Sequence, residues 1–81
     1  MKEKYWLTPN GKRVYKVQQM LNDRLSYRII TVPVSDRVDR FSNNYSSQKR
    51  WPDFRDDRTA QAALDDYAKA NQLKPFGGDN T

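Results

Sequence analysis

The sequence predicts a small α+β domain, a three-stranded antiparallel β-sheet (meander) packed on one C-terminal α-helix. Three observations carry this. The segment DDRTAQAALDDYAKANQL (56–73) repeats small and apolar residues at helical spacing. LSYRIITV (25–32) is β-branched and aromatic, the composition of an extended strand. TPNG (8–11) is a turn signal, with proline at its second position and Asn-Gly behind it.

Tyr5, Trp6 and Leu7 form the first expected strand, returned by the Pro-Asn-Gly turn. The next segment, RVYKVQQML (13–21), fits a helix through Val14, Val17 and Leu21, and fits a strand equally well. Register with 25–32 favours the strand. A three-residue connection, Asn22-Asp23-Arg24, sets Leu21 against Leu25, Val17 against Ile29 and Tyr15 against Thr31. One face is then Tyr15, Val17, Leu21, Leu25, Tyr27 and Ile29, apolar apart from Gln19 and Thr31. The other carries Lys16, Gln18, Met20, Ser26 and Arg28, with Val14, Ile30 and Val32 toward one end. A two-residue loop would set Leu21 against Arg24 and lose this partition.

Pro33 ends the third strand, and a short helix near 35–46 is expected, capped by Ser35, with Val38, Phe41 and Tyr45 at helical spacing. From Asn43 to Arg58 a long connection returns the chain to the helix side, with Trp51 and Phe54 as its anchors. In the C-terminal helix, Ala60, Ala63, Leu64, Tyr67, Ala68 and Asn71 form the packing face, Asp56, Asp57 or Thr59 caps the first turn, and Lys74-Pro75 marks the stop. Asp65 and Asp66 are expected on a solvated face. Residues 1–76 make a single domain and 77–81 a flexible tail.

Composition excludes several kinds of chemistry. Hydrophobic residues are 36% of the 81 and charged residues 31%, so the core must be thin, with ten aromatics supplying much of it. No cysteine or histidine occurs, which removes disulfides, thiol nucleophiles, histidine acid–base chemistry and the usual zinc sites. A serine nucleophile would need a lysine base, and no motif marks one. Three glycines, two in the tail, make no phosphate-cradling loop. The expectation is a non-enzymatic protein without cofactor or metal. No apolar run approaches the roughly 20 residues a membrane span needs, and the basic start MKEKYWL lacks the apolar stretch of a signal peptide. A cytoplasmic, soluble protein with no membrane partner is the default.

Charge is uneven. Residues 1–50 carry eleven Lys and Arg against four acids; residues 51–81 carry four against six, within a net charge of +5. A basic front suggests an anionic partner. On the predicted hairpin, Lys16, Gln18 and Arg28 stand on the sheet face away from the helix, Arg24 at its tip, and Lys12 and Arg13 beside the other turn. Long cations and an amide on such a ribbon can track phosphates or read base edges. In the loop FSNNYSSQKRWPDF (41–54), Tyr45 with Lys49 and Arg50 has the make-up of a stacking and phosphate-gripping surface.

Three strands followed by a helix, with a polar sheet face, resembles the arm-type DNA-binding domains of phage and transposon integrases. The likeness is one of architecture and transfers no site residues. Nucleic acid, DNA first, is therefore the leading expected partner. The alternative is a protein-binding inhibitor from a phage or mobile element, of the anti-CRISPR kind, directed at a host protein or ribonucleoprotein. Tyr, Trp and Arg, the types enriched at interface hot spots, all occur in the 41–54 loop.

Overall fold

The two long strands pair in the register that the alternation requires. In the computed structural model, β1 (Trp6–Leu7), β2 (Arg13–Leu21) and β3 (Leu25–Pro33) are followed by α1 (Asp57–Ala70) and β4 (Lys74–Pro75). The structure describes residues 4–21, 25–35, 37–43, 45–46 and 51–76. Strand β2 pairs antiparallel with β3, with Leu21 opposite Leu25, Val17 opposite Ile29 and Tyr15 opposite Thr31, as a three-residue connection demands. The connection itself, 22–24, and the expected tail, 77–81, lie outside the described residues.

The sheet has four strands in the order β3-β2-β1-β4 rather than three. Lys74–Pro75 does not merely stop the helix; it turns back and pairs with β1. Proline is tolerable there because β4 is an edge strand. The turn at 8–11 closes with the Gly11 amide donating to the Thr8 carbonyl at 2.8 Å. Gly11 has φ 73°, a left-handed value that favours glycine.

Strand alternation gives the sheet two buried faces. On one, Tyr15 and Ile29 pack against Leu64, Ala68 and Leu73, with Trp6, Val17, Trp51, Phe54, Ala63 and Tyr67 around them. Helix α1 covers this face with Ala60, Leu64 and Ala68. Small residues there let the helix lie close to the sheet. Trp51 meets Tyr67 edge-to-face at 5.2 Å, and Tyr67 meets Tyr15 at 5.6 Å. Trp51 and Phe54 do anchor the return segment: Phe54 exchanges both backbone hydrogen bonds with Tyr27, at 2.8 and 2.9 Å.

The helix departs from its expected face at two positions. Asn71 is the C-cap, exposed, with its side-chain amide donating to the Tyr67 carbonyl at 2.9 Å. Asp65 is buried rather than solvated, and accepts from the Trp6 indole N–H at 3.0 Å and from Gln61 Nε2 at 3.0 Å. A buried carboxylate needs such donors, and only the tertiary approach of β1 supplies the indole. At the other end Asp56 is the N-cap, its carboxylate accepting from the Thr59 amide at 2.7 Å. That bond holds its pKa below the usual carboxylate range.

The opposite face is also closed. Val14, Met20, Ile30 and Val32 form a second core with Val38, flanked by Leu7, Val34, Tyr45 and Phe76. The cover is the segment that follows β3. It is not the helix expected near 35–46: its described residues run through turns, and Ser46 pairs with Thr31 on the outer edge of β3. Val38 and Tyr45 turn down into the core while Phe41 stays 48% exposed, so the apparent helical spacing never forms one face.

Candidate functional site

The covering segment is held to the sheet by two polar side chains of β2. The Lys16 ammonium donates to the Arg40 carbonyl at 2.6 Å. Gln18 grips Ser42 twice, its Nε2 donating to the Ser42 carbonyl and its Oε1 accepting from the Ser42 amide, both at 2.9 Å. The primary amide thus acts as a neighbouring strand would, satisfying one residue's N–H and C=O together. An irregular segment cannot satisfy its own backbone over an apolar surface, so the sheet must supply partners. At residues 40 and 42 these bonds stand where helical ones would.

Lys16 and Gln18 are each only 5% exposed, which corrects the expectation that they stand on an open face. They do lie on the face away from α1, but beneath the covering segment. Burial lowers the Lys16 pKa, and the negative charge of Asp39 partly offsets that.

The other predicted residues scatter. Arg28 keeps 40% of its side chain exposed and pairs with Asp53, with both Nε and Nη2 at 2.8 Å from Oδ1. Hydrogen bonding to Asp53 raises its pKa, and the pair ties down the return segment. Arg13 also bonds within the fold: Nε donates to the Thr31 hydroxyl at 3.1 Å and Nη2 to the Thr31 carbonyl at 2.9 Å. Tyr45 is half-buried against the second core, its hydroxyl donating to the Met20 sulfur at 3.8 Å, so it is no open stacking platform. Lys12 is exposed. Arg24, Lys49 and Arg50 lie outside the described residues.

Three residues that sequence reasoning did not select come to the surface instead. Arg37, Arg40 and Phe41 are exposed on the covering segment. Phe41 and Leu21 are the exposed large hydrophobic residues among those described. Arg37 pairs with Asp39 at 3.1 Å, both well exposed, and that hydrogen bond is the main reason the Asp39 pKa is lowered. Lys12 joins this side: its carbonyl accepts from the Val34 amide at 3.1 Å, where the covering segment begins. The signal for them was present, since Val14, Ile30 and Val32 on a nominally open face imply a cover, and the chain after Pro33 is next in line to supply it.

On the helix side, a groove of about 330 Å³ opens between the hairpin and the start of α1, with Val17, Gln19 and Tyr27 on the sheet side and Arg58 and Gln61 on the helix. Among the described residues, no three His, Cys, Asp or Glu side chains gather to hold a metal. No helix there is long and apolar enough to cross a membrane. No family model, curated protein or solved structure matches the chain.

Proposed function

We propose that the protein is a non-enzymatic module that binds nucleic acid through the segment covering the sheet face opposite α1. The observation that supports this is an excess of exposed cations on the covering side. Lys12, Arg37 and Arg40 are exposed there against the exposed Asp39 among the described residues, whereas on α1 the exposed Asp57 and Asp66 are balanced by the exposed Arg58 and Lys69. A face with an excess of positive charge attracts a phosphate backbone.

The test is a titration of labelled single- and double-stranded DNA and RNA at low and at physiological salt. The expected affinity falls linearly with salt on logarithmic axes, and Arg40→Ala and Lys12→Ala each lower that slope by about one. Absence of binding to every oligonucleotide at low salt overturns the reading.

A second reading, a protein partner, is favoured by one observation. Leu21 is 75% exposed at the end of β2, two residues beyond Gln19 in the wall of the helix-side groove. Binding of a protein there would be sensitive to Leu21→Ser and insensitive to Arg40→Ala.

A further inference from the structure

Resting on the nucleic-acid reading above, we infer that the ligand is a single strand, one base of which stacks on Phe41 while Arg40 and Arg37 meet the flanking phosphates. Lys16 and Gln18 are the positioning residues that hold this platform. Phe41 lies between the two anchored positions, since Arg40 is fixed through its carbonyl and Ser42 through both backbone groups. A ring at 48% exposure is thus presented on backbone tied at both neighbours, a surface aromatic that loses little freedom on binding.

The chemistry selects a single strand. In a duplex the π-faces of the bases are occupied by one another, and a side chain reads only their edges in the grooves. An unpaired base offers its face to any ring, with cations on either side for the backbone. Groove reading by the hairpin is not available at Lys16 and Gln18, because α1 covers one sheet face and the 34–46 segment covers the other. The Arg37–Asp39 pair is exposed on both sides, so a phosphate can compete for the guanidinium.

Positioning by Lys16 and Gln18 has its own signature. Methionine is close in volume to either side chain and suits a buried site, so Lys16→Met and Gln18→Met should keep the fold while releasing residues 40–42. The Ser42 amide, bonded to Gln18, reports that release through hydrogen exchange.

The experiment compares oligothymidylate with a DNA hairpin duplex of equal length, by fluorescence anisotropy on the full chain, with hydrogen exchange run in parallel. The expected result is tighter binding of the single strand and about tenfold loss in Phe41→Ala. Phe41→Trp should retain affinity, with its emission quenched beyond any change at Trp6 and Trp51. Lys16→Met and Gln18→Met should weaken binding several-fold, and Gln18→Met should speed exchange at Ser42. Equal binding of strand and duplex, with Phe41→Ala unchanged, overturns the inference and leaves the nucleic-acid reading standing. Faster Ser42 exchange without loss of affinity removes the positioning role. No binding of oligothymidylate or of single-stranded RNA at low salt overturns the inference, and failure of the duplexes as well overturns the reading with it.

Discussion

The two faces of the sheet are both buried, yet they are closed by opposite means. Helix α1 satisfies its own backbone and offers Ala60, Leu64 and Ala68, so the side chains beneath it need not bond its backbone, and Tyr15, Val17 and Ile29 pack there. The described residues of the 34–46 segment form no such internal ladder. The face beneath it must combine Val14, Ile30 and Val32 with Lys16 and Gln18, which bond the backbone of residues 40 and 42. A polar stripe on a strand can therefore be a dock for irregular chain as readily as a solvent face. The helix side is built for packing, and the covering side for holding a loop in one shape.

The largest difference should appear when each core loses one side chain. Leu64 is fully buried under the helix, and Leu64→Ala should lower unfolding free energy by about 2–5 kcal/mol. Val38, 8% exposed on the covering segment, should lose only about 1–2 kcal/mol on Val38→Ala, since two methyl groups leave a site whose irregular cover can settle. Urea unfolding of both variants measures this. Equal losses would mean that the covering segment is as much a core element as the helix, and the contrast would fail.

The same contrast explains what was legible in the sequence. The hairpin register, Leu21 against Leu25, followed from period-two patterning, and α1 followed from its apolar spacing and caps. Both elements are regular, so each residue's face is set by its position. The fate of Lys16 and Gln18 is not local. It depends on where the chain after Pro33 travels, and side-chain to backbone bonds across 24 residues leave no periodic trace. Asp65 was misjudged for the same reason, its indole partner lying 59 residues away. The fourth strand is only two residues long, too short for any pattern.

Alkaline titration offers a second way to separate the faces. Burial, helped by hydrogen bonding to Tyr67, pushes the Tyr15 phenol up to about 12, against an unfolded value of 10.0. Between those values the unfolded chain gives up the proton and the native one keeps it. Stability from Tyr15 is thus complete below pH 10 and lost as pH rises through 12, on the order of 2 kcal/mol. Lys16 acts with opposite sign: its native pKa is lowered from 10.5, so its penalty is relieved as pH rises toward that value. Tyr15→Phe should flatten the loss above pH 10, and Lys16→Met should remove the gain below it. Urea midpoints of the two variants across pH 8–12 check both signs. A profile in which Tyr15→Phe still loses stability as steeply would place the alkaline weakness away from the helix-covered face.

The smallest expected effect lies where α1 ends. Gln72 has φ 57°, a left-handed conformation that is strained for any residue with a Cβ. The geometry around it is a glycine-type helix stop, with the Leu73 amide donating to the Ala68 carbonyl and the Asn71 amide to the Tyr67 carbonyl, both at 2.9 Å. Leu73, 7% exposed, then anchors in the helix-side core. Gln72→Gly should relieve the strain and stabilise the fold by about 0.5–1 kcal/mol, the unfolded-state freedom of glycine offsetting part of the gain. Because the change acts only through the helix cover, hydrogen exchange at Ser42 and affinity for oligothymidylate should not move. A stabilised fold with altered Ser42 exchange would show that the two covers are coupled through the sheet, and the division between a packing face and a presenting face would then have to be redrawn.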